Sequence, residues 1–261
     1  MHTVNKYLTA TLFLIATFGF AVKSHSQSTE ESAANGLPLP SVLFKKHIEA
    51  VGGEQLLLAH TTKTIQGKMS IKAMGIEGDL LVIAAAPNNI MTTIGLGQYG
   101  QSRSGYNGTI AWSMDPMSGN RILKGEALQQ MIKRADFYGN DVHLGKGAVK
   151  QETVGIVTFG EDKQFKVLLV NADGEESYLY FSKESGLLSG MDSMELSMTG
   201  KVPTQTRLSN YVETDGIKTA HRITSSQNGV LTIIEIDSIS YSTLADNAFA
   251  LPAEIQSQVG K

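Results

Sequence analysis

The chain has 261 residues, of which 41% are hydrophobic and 18% are charged, a composition typical of a globular protein. Its 25 acidic and 22 basic residues give a net charge of −3, so it has no electrostatic reason to bind nucleic acid. The sequence contains no cysteine, which excludes disulfides, thiolate metal ligands and a cysteine-linked lipid anchor.

The first 26 residues have the layout of a secretory signal peptide. Lys6 precedes an apolar run from Tyr7 to Val22, and Ser24 and Ser26 are small residues at the positions that determine cleavage. We therefore expect export to the periplasm with cleavage after Ser26, which would change the net charge to −5 because two lysines leave. An N-terminal membrane anchor is the alternative, but the run is shorter than the roughly 20 apolar residues that span a bilayer.

Residues 27–40 are small and polar and end in two prolines, which predicts a flexible leader. No change of composition divides the rest of the chain. We therefore predict one domain over residues 41–255, followed by a short C-terminal tail over residues 256–261.

Three segments have the apolar spacing of helices. In the first, Ser41 can cap a helix with an apolar stripe formed by Phe44, Ile48 and Val51, and Gly52 ends it. A second short helix is expected from Glu54 to Ala59. The third covers residues 125–137, where one stripe is apolar and the polar residues point elsewhere. The apolar stripe consists of Leu128, Met131, Ile132 and Ala135, and the polar set of Gln129, Gln130, Lys133 and Arg134.

In most other segments, apolar and polar residues alternate with a period of two, which predicts antiparallel strands with one buried face. Between residues 61 and 96, the face expected to be buried consists of Ile65, Gly67, Met69, Ile71, Ile76, Gly78, Leu80, Val82, Ala84, Ile90, Thr92, Ile94 and Leu96. After residue 160, turn signals such as Asp215-Gly216 and Asn228-Gly229 recur between apolar runs, as in a meander.

The predicted fold is mainly β (α+β), with about ten or eleven strands and two or three helices in one domain. A sheet of that width must curl, and few helices are available to cover it. We therefore predict a single strongly curved antiparallel sheet, or incomplete β-barrel, whose helices cover a cavity.

Three motifs occur in a characteristic order. They are Gly78-Asp79-Leu80 with Pro87-Asn88, then the strand Asn107-Gly108-Thr109-Ile110-Ala111-Trp112, and the ending Phe249-Ala250-Leu251-Pro252. This order resembles the LolA/LolB-like family of periplasmic outer-membrane lipoprotein-sorting proteins over residues 41–255. The resemblance implies a hydrophobic cavity that accepts acyl chains, and no catalysed reaction. Sorting carriers have an arginine before the strand-ending proline, where this chain has Ala86, and the acceptor member's lipidated cysteine is absent.

Motifs for other chemistry are weak. The six histidines are scattered without the spacing of a metal site, so we expect neither metal nor cofactor. Gly95 to Gly100 spells a phosphate-binding pattern, but no helix follows, and we interpret its glycines as thinning a strongly bent strand. The segment from Gln101 to Gly105 only faintly resembles a serine nucleophile elbow. The acidic pairs Glu161-Asp162 and Glu175-Glu176 fall at turns and are expected to be solvated.

We therefore expect a non-catalytic, monomeric periplasmic protein that binds acyl chains of lipids or lipoproteins and meets a partner protein of the envelope or outer membrane. Methionine suits surfaces that repack around variable apolar ligands, although it also fills ordinary cores. A structural or interaction module with a filled interior is the first alternative, and an exported hydrolase the second. The residues predicted to line the cavity are Ile65, Met69, Leu80, Val82, Ile94, Trp112, Leu128, Met131 and Met194.

Overall fold

One antiparallel sheet dominates the structure, a computed structural model that describes residues 36–197 and 200–259. The predicted signal peptide, most of the predicted leader and the end of the predicted tail lie outside the described residues. The helices are α1 (Pro40–Val51), α2 (Glu54–Ala59), α3 (Gly125–Ala135) and α4 (Ala253–Gln256). The strands are β1 (Thr62–Ile71), β2 (Ile76–Ala85), β3 (Asn89–Gly95), β4 (Gln101–Asn107), β5 (Ala111–Asp115), β6 (Gly119–Ile122), β7 (Lys150–Phe159), β8 (Asp162–Val170), β9 (Glu176–Ser182), β10 (Leu188–Ser197), β11 (Gly200–Thr214), β12 (Ile217–Gln227) and β13 (Val230–Ser240).

The order of strands across the sheet is β6-β5-β4-β3-β2-β1-β13-β12-β11-β10-β9-β8-β7. The first and last strands of the chain pair at the centre, and the sheet ends at β6 and β7 without closing between them. The prediction of a single, incompletely closed antiparallel sheet is confirmed.

The predicted number of strands is wrong, because the described sheet has thirteen rather than ten or eleven. Two strands that the alternation did not reveal are β6 and β7. The first has four residues and only one large apolar side chain, Ile122. The second exposes Val154 and Ile156 and shifts register between Thr153 and Gly155, which breaks the pattern of period two.

Close backbone approaches at glycines allow the sheet to bend. A Cβ atom at Gly67 would lie 2.2 Å from the carbonyl oxygen of Glu235, where β1 shifts register against β13. A Cβ atom at Gly78 would lie 2.2 Å from the carbonyl oxygen of Gly95. No other residue fits at these distances, so the glycines are required where the strands approach.

The segment between Gly95 and Gly100 differs from its prediction. It is not one bent strand: a short 3₁₀ turn, Gly97–Tyr99, separates β3 from β4. Gly97 and Gly100 have φ values of 58° and 94°, a region that favours glycine. These glycines therefore make a turn between paired strands.

The inner face of the sheet, on which α1, α2 and α3 lie, carries two large hydrophobic cores and a smaller cluster of Val51, Leu57 and Ile217. The predicted alternation of β1, β2 and β3 holds, and these strands form the first core with Met131 and Ala135 of α3. Leu43 and Phe44 of α1 pack with β8, β9 and β10 in the second core. The space between the two cores contains the candidate site.

The helices differ from their predictions in three details. Helix α1 begins at Pro40 after Leu39 and has no side-chain cap, so Ser41 is not its capping residue. Proline suits this first position because its missing N–H has no partner there in any helix. Helix α3 ends at Ala135, and Arg134, predicted to point elsewhere, is only 8% exposed. Helix α2 has the predicted bounds.

Candidate functional site

A pocket of about 170 Å³ lies between the inner face of the sheet and the helices. It is bordered by the segment after α3, residues 136–144, which we call the closing segment. The pocket is lined by His47, Val51, Leu57, His60, Lys63, Ile65, Val82, Ala84, Ile90, Arg134, Ala135, Asp136, Phe137, Tyr138, Asn140, Asp141, Leu188, Met191, Thr206, Leu208, Tyr211, Ile217, Lys218, Thr219, Ala220, Ile223, Ile236 and Tyr241.

The volume of the pocket indicates what size of ligand it admits. An apolar cavity of about 150 Å³ binds a molecule the size of benzene, so this pocket has room for part of an acyl chain. Its aliphatic lining includes Ile65, Val82, Leu208, Ile223 and Ile236.

The closing segment is held by bonds to distant parts of the chain. The backbone N–H of Phe137 donates to the carbonyl oxygen of Pro87 at 3.0 Å, which attaches the segment to the turn between β2 and β3. The hydroxyl of Tyr138 donates to the carbonyl oxygen of His60 at 3.1 Å. The ring of His60 in turn lies 4.3 Å from that of Tyr241, centroid to centroid. The segment is also held by apolar contacts, because Phe137, Val142 and Leu144 pack in the hydrophobic clusters.

Two histidine–aspartate pairs involve residues of the closing segment. The Nδ1 atom of His143 lies 2.9 Å from both carboxylate oxygens of Asp136. The buried His47 accepts a hydrogen bond at Nδ1 from the backbone N–H of Leu188 at 3.1 Å. Its Nε2 atom therefore carries the proton and faces Asp141 at 3.5 Å. His47 thus joins α1 to both β10 and the closing segment.

Three cationic side chains, Lys63, Arg134 and Lys218, line the pocket, and Lys218 is exposed. Lys63 is partly buried, its Nζ atom lies 5.2 Å from the ring centroid of Phe137, and burial lowers the pKa of its ammonium group. Burial also lowers the pKa of Arg134, an effect that the nearby charge of Glu195 opposes. The same burial raises the pKa of Glu195.

Two tyrosines place hydroxyl groups at the wall formed by the C-terminal strands. The hydroxyl of Tyr211 donates to the carbonyl oxygen of Leu188 at 2.6 Å. Burial raises the pKa of both Tyr211 and Tyr241, so both phenols are neutral at ordinary pH. Neutral hydroxyl groups with their own partners add little to the polarity of the pocket.

The nine residues predicted to line a cavity lie in different parts of the structure. Ile65 and Val82 line the pocket. Five others belong to the first core or pack against it, namely Met69, Leu80, Ile94, Leu128 and Met131. Trp112 lies near the guanidinium group of Arg103 and against Gly105, on the face opposite to its inward neighbour Ala111. Met194 is partly buried on β10, where Met191 is the residue that lines the pocket.

Most pocket residues lie at positions to which the sequence analysis assigned no inward face. The closing segment has no apolar period, and Tyr211, Ile217 and Ile223 lie on strands whose inner faces were not assigned. Lys63 had a usable signal, because it shares the odd-numbered inward positions of Ile65 and Met69 on β1. A lysine at an inward position of a strand is a candidate for function.

Several polar side chains of the pocket are engaged in hydrogen bonds. Both ring nitrogens of His47 are engaged, so it has no free lone pair to act as a base. Of the lining threonines, Thr206 bonds to Ser225 at 3.2 Å and Thr219 bonds to Tyr241. Within the described part of the chain, no group of three or more His, Cys, Asp or Glu side chains is placed to hold a metal ion.

An open curved antiparallel sheet with helices on its inner face and a pocket between them defines the class of protein. Three solved structures share this architecture. A LolA superfamily protein from Nitrosomonas europaea is similar with a TM-score of 0.55 at 13% identity, covering 82% of this chain and 98% of that one. A DUF1329 family protein from Desulfovibrio piger has a TM-score of 0.56 at 10% identity, covering 80% and 96%.

The third is a putative outer membrane lipoprotein-sorting protein domain from Vibrio parahaemolyticus, with a TM-score of 0.50 at 11% identity and coverage of 79% and 97%. The chain therefore has the LolA-like fold that the sequence motifs indicated. No family model and no curated protein matches the sequence. None of the helices among residues 36–197 and 200–259 is long and apolar enough to cross a membrane.

Proposed function

We propose that the protein is a periplasmic, non-catalytic binding protein whose pocket takes up acyl chains of lipids or lipoproteins, and that it carries them in outer-membrane lipid or lipoprotein sorting. The observation that carries this proposal is the apolar pocket between two packed cores on the inner face of a LolA-like sheet. Burying one methylene group contributes about 0.8 kcal/mol, so a chain binds there without specific polar contacts.

The closing segment supports a carrier rather than a permanent lipid site. It is attached through hydrogen bonds from Phe137 and Tyr138, through the contact between Asp141 and His47, and through apolar contacts of Phe137, Val142 and Leu144. Opening the pocket would break these contacts but leave the strand pairing of the sheet intact, so it costs less than unfolding. We propose that this segment and α1 act as the lid.

Mass spectrometry of lipids that copurify with the protein tests the proposal. The full chain is produced in its host, purified without detergent and extracted with solvent. We expect acyl-containing lipids in near-stoichiometric amount, and less of them from Ala84→Leu, which narrows the pocket, than from Ala85→Leu on the opposite face. The absence of any bound lipid, together with no uptake of a fluorescent fatty acid after delipidation, would refute the proposal. N-terminal sequencing of the periplasmic protein checks the expected cleavage after Ser26.

A partner-binding role is the second candidate function, and a specific observation favours it. Strand β7 is an edge of the sheet, and Val149, Val154 and Ile156 beside or on it are 59%, 42% and 43% exposed. An edge strand with unpaired backbone groups and exposed apolar side chains can pair with a strand of another protein. Cross-linking from this edge in the periplasm would identify such a partner of the envelope or outer membrane.

A further inference from the structure

Some charged residues of the pocket have an oppositely charged partner nearby, and others do not. Asp136 is paired with His143 and Asp141 faces His47. Arg134 has the opposing charge of Glu195 nearby. The salt bridges found among the described residues include neither Lys63 nor Lys218. Lys218 is exposed to water, whereas Lys63 is partly buried.

Two neighbours of Lys63 are apolar. It stands directly opposite Ala84 on β2, and both residues line the pocket. Its Nζ atom lies 5.2 Å from the ring centroid of Phe137. The charge of Asp141 favours the protonated form of Lys63, but the ion pairs found among the described residues include no pair of these two side chains. Holding an ammonium group in such a place is unfavourable unless something supplies a counter-charge.

The pocket beside this cation has room for part of one acyl chain. The aliphatic side chains of Ile65 and Val82 continue along the wall from Lys63 and Ala84 on the same two strands. A molecule that fills this space with a hydrocarbon chain therefore has its end group within reach of the ammonium group. A negatively charged end group would replace the water that Lys63 loses on burial.

We propose that the ligand is a single-chain amphiphile with an anionic head group, and that the Lys63 ammonium group contacts this head group while the chain occupies the apolar part of the pocket. This inference rests on the proposed function, since it requires that an acyl chain enters the pocket. A carboxylate and a phosphate share the chemistry that Lys63 recognises, so a free fatty acid and a single-chain phospholipid both qualify.

The test compares ligands with the same chain and different head groups. Dodecanoate, dodecyl phosphate and the uncharged dodecan-1-ol are titrated against the full chain, with displacement of the neutral dye 1-aminoanthracene as readout. We expect at least one of the anions to bind about tenfold more tightly than the alcohol. The phosphate arm distinguishes a lipid with a phosphate head group from a fatty acid.

Variants of Lys63 assign the preference to this residue. In Lys63→Met, the ratio of anion affinity to dodecan-1-ol affinity should fall from about ten to about one, because the ammonium group that contacts the anion is removed. Lys63→Arg should keep the preference for an anion. Lys68→Met is the matched control, since it removes a lysine from the same strand on the opposite, exposed face and should change neither affinity.

The possible results separate this inference from the proposed function. Equal binding of anion and alcohol by the wild type, or an undiminished preference in Lys63→Met, would overturn the inference and leave acyl-chain binding in place. Binding of none of the three ligands would overturn both. The comparison within the wild type remains decisive even if Lys63→Met does not fold.

Discussion

The substitution Ala84→Leu tests whether the acyl chain occupies the pocket that the geometry defines. Ala84 is 6% exposed, stands opposite Lys63 on β1 and Ile90 on β3, and all three residues line the pocket. Leucine adds three carbon atoms, which would take the place of about three methylene groups of the chain. At about 0.8 kcal/mol for each methylene, the ligand loses about 2.4 kcal/mol, or roughly 50-fold in Kd.

The same substitution should not weaken the fold. The added carbons fill existing space in an apolar pocket, so the free energy of unfolding of the empty protein should stay constant or rise by up to about 2 kcal/mol. Affinity is measured by displacement of a fluorescent fatty acid, and stability by urea unfolding followed by circular dichroism. Ala85→Leu adds the same atoms on the opposite face and serves as the control. If Ala84→Leu binds as tightly as Ala85→Leu, the chain lies elsewhere and the reasoning is refuted.

Three further predictions concern stability and are checked by urea or thermal unfolding. His47→Ala should lower the free energy of unfolding by about 1–3 kcal/mol, because it leaves the buried N–H of Leu188 without an acceptor. An unchanged midpoint of urea unfolding would show that a water molecule accepts this hydrogen bond in place of the ring. Gly67→Ala should cost more than about 2 kcal/mol, because its Cβ atom would clash with the backbone of Glu235, and a smaller loss would mean that β1 can shift. Lys63→Met should stabilise the empty protein by about 1 kcal/mol and raise its Tm by about 2–4 °C, because it removes a partly buried ammonium group. An unchanged Tm would show that burying this ammonium group does not destabilise the fold.

The inner faces of β1, β2 and β3 could be predicted from the sequence because one side of each strand is buried and the other is not. The same reasoning missed β7, whose exposed Val154 and Ile156 lack that contrast. It also placed Trp112 in the cavity, because alternation alone does not say which face of β5 is the inner one. The sequence predicted which residues are apolar and which of them lie in strands. Which face of the sheet a strand residue lies on depends on how that strand pairs with strands that are distant in the sequence.

The pocket itself could be predicted only in part for a related reason. Ile65 and Val82 belong to neighbouring strands and were recognised from their shared face. The opposite wall, with Leu208 and Tyr211, lies more than a hundred residues away, and the closing segment has no periodic pattern. Their meeting depends on the central pairing of β1 with β13, a long-range contact that local spacing does not specify.

Nuclear Overhauser effects between bound dodecanoate and methyl-labelled protein test most directly whether the acyl chain lies in the pocket. We expect contacts between the acyl-chain protons of dodecanoate and the methyl groups of Ile65, Val82 and Ile223, which line the pocket from three strands. Contacts confined to exposed methyl groups such as those of Val154 and Ile156, or none at all under saturating ligand, would contradict this expectation.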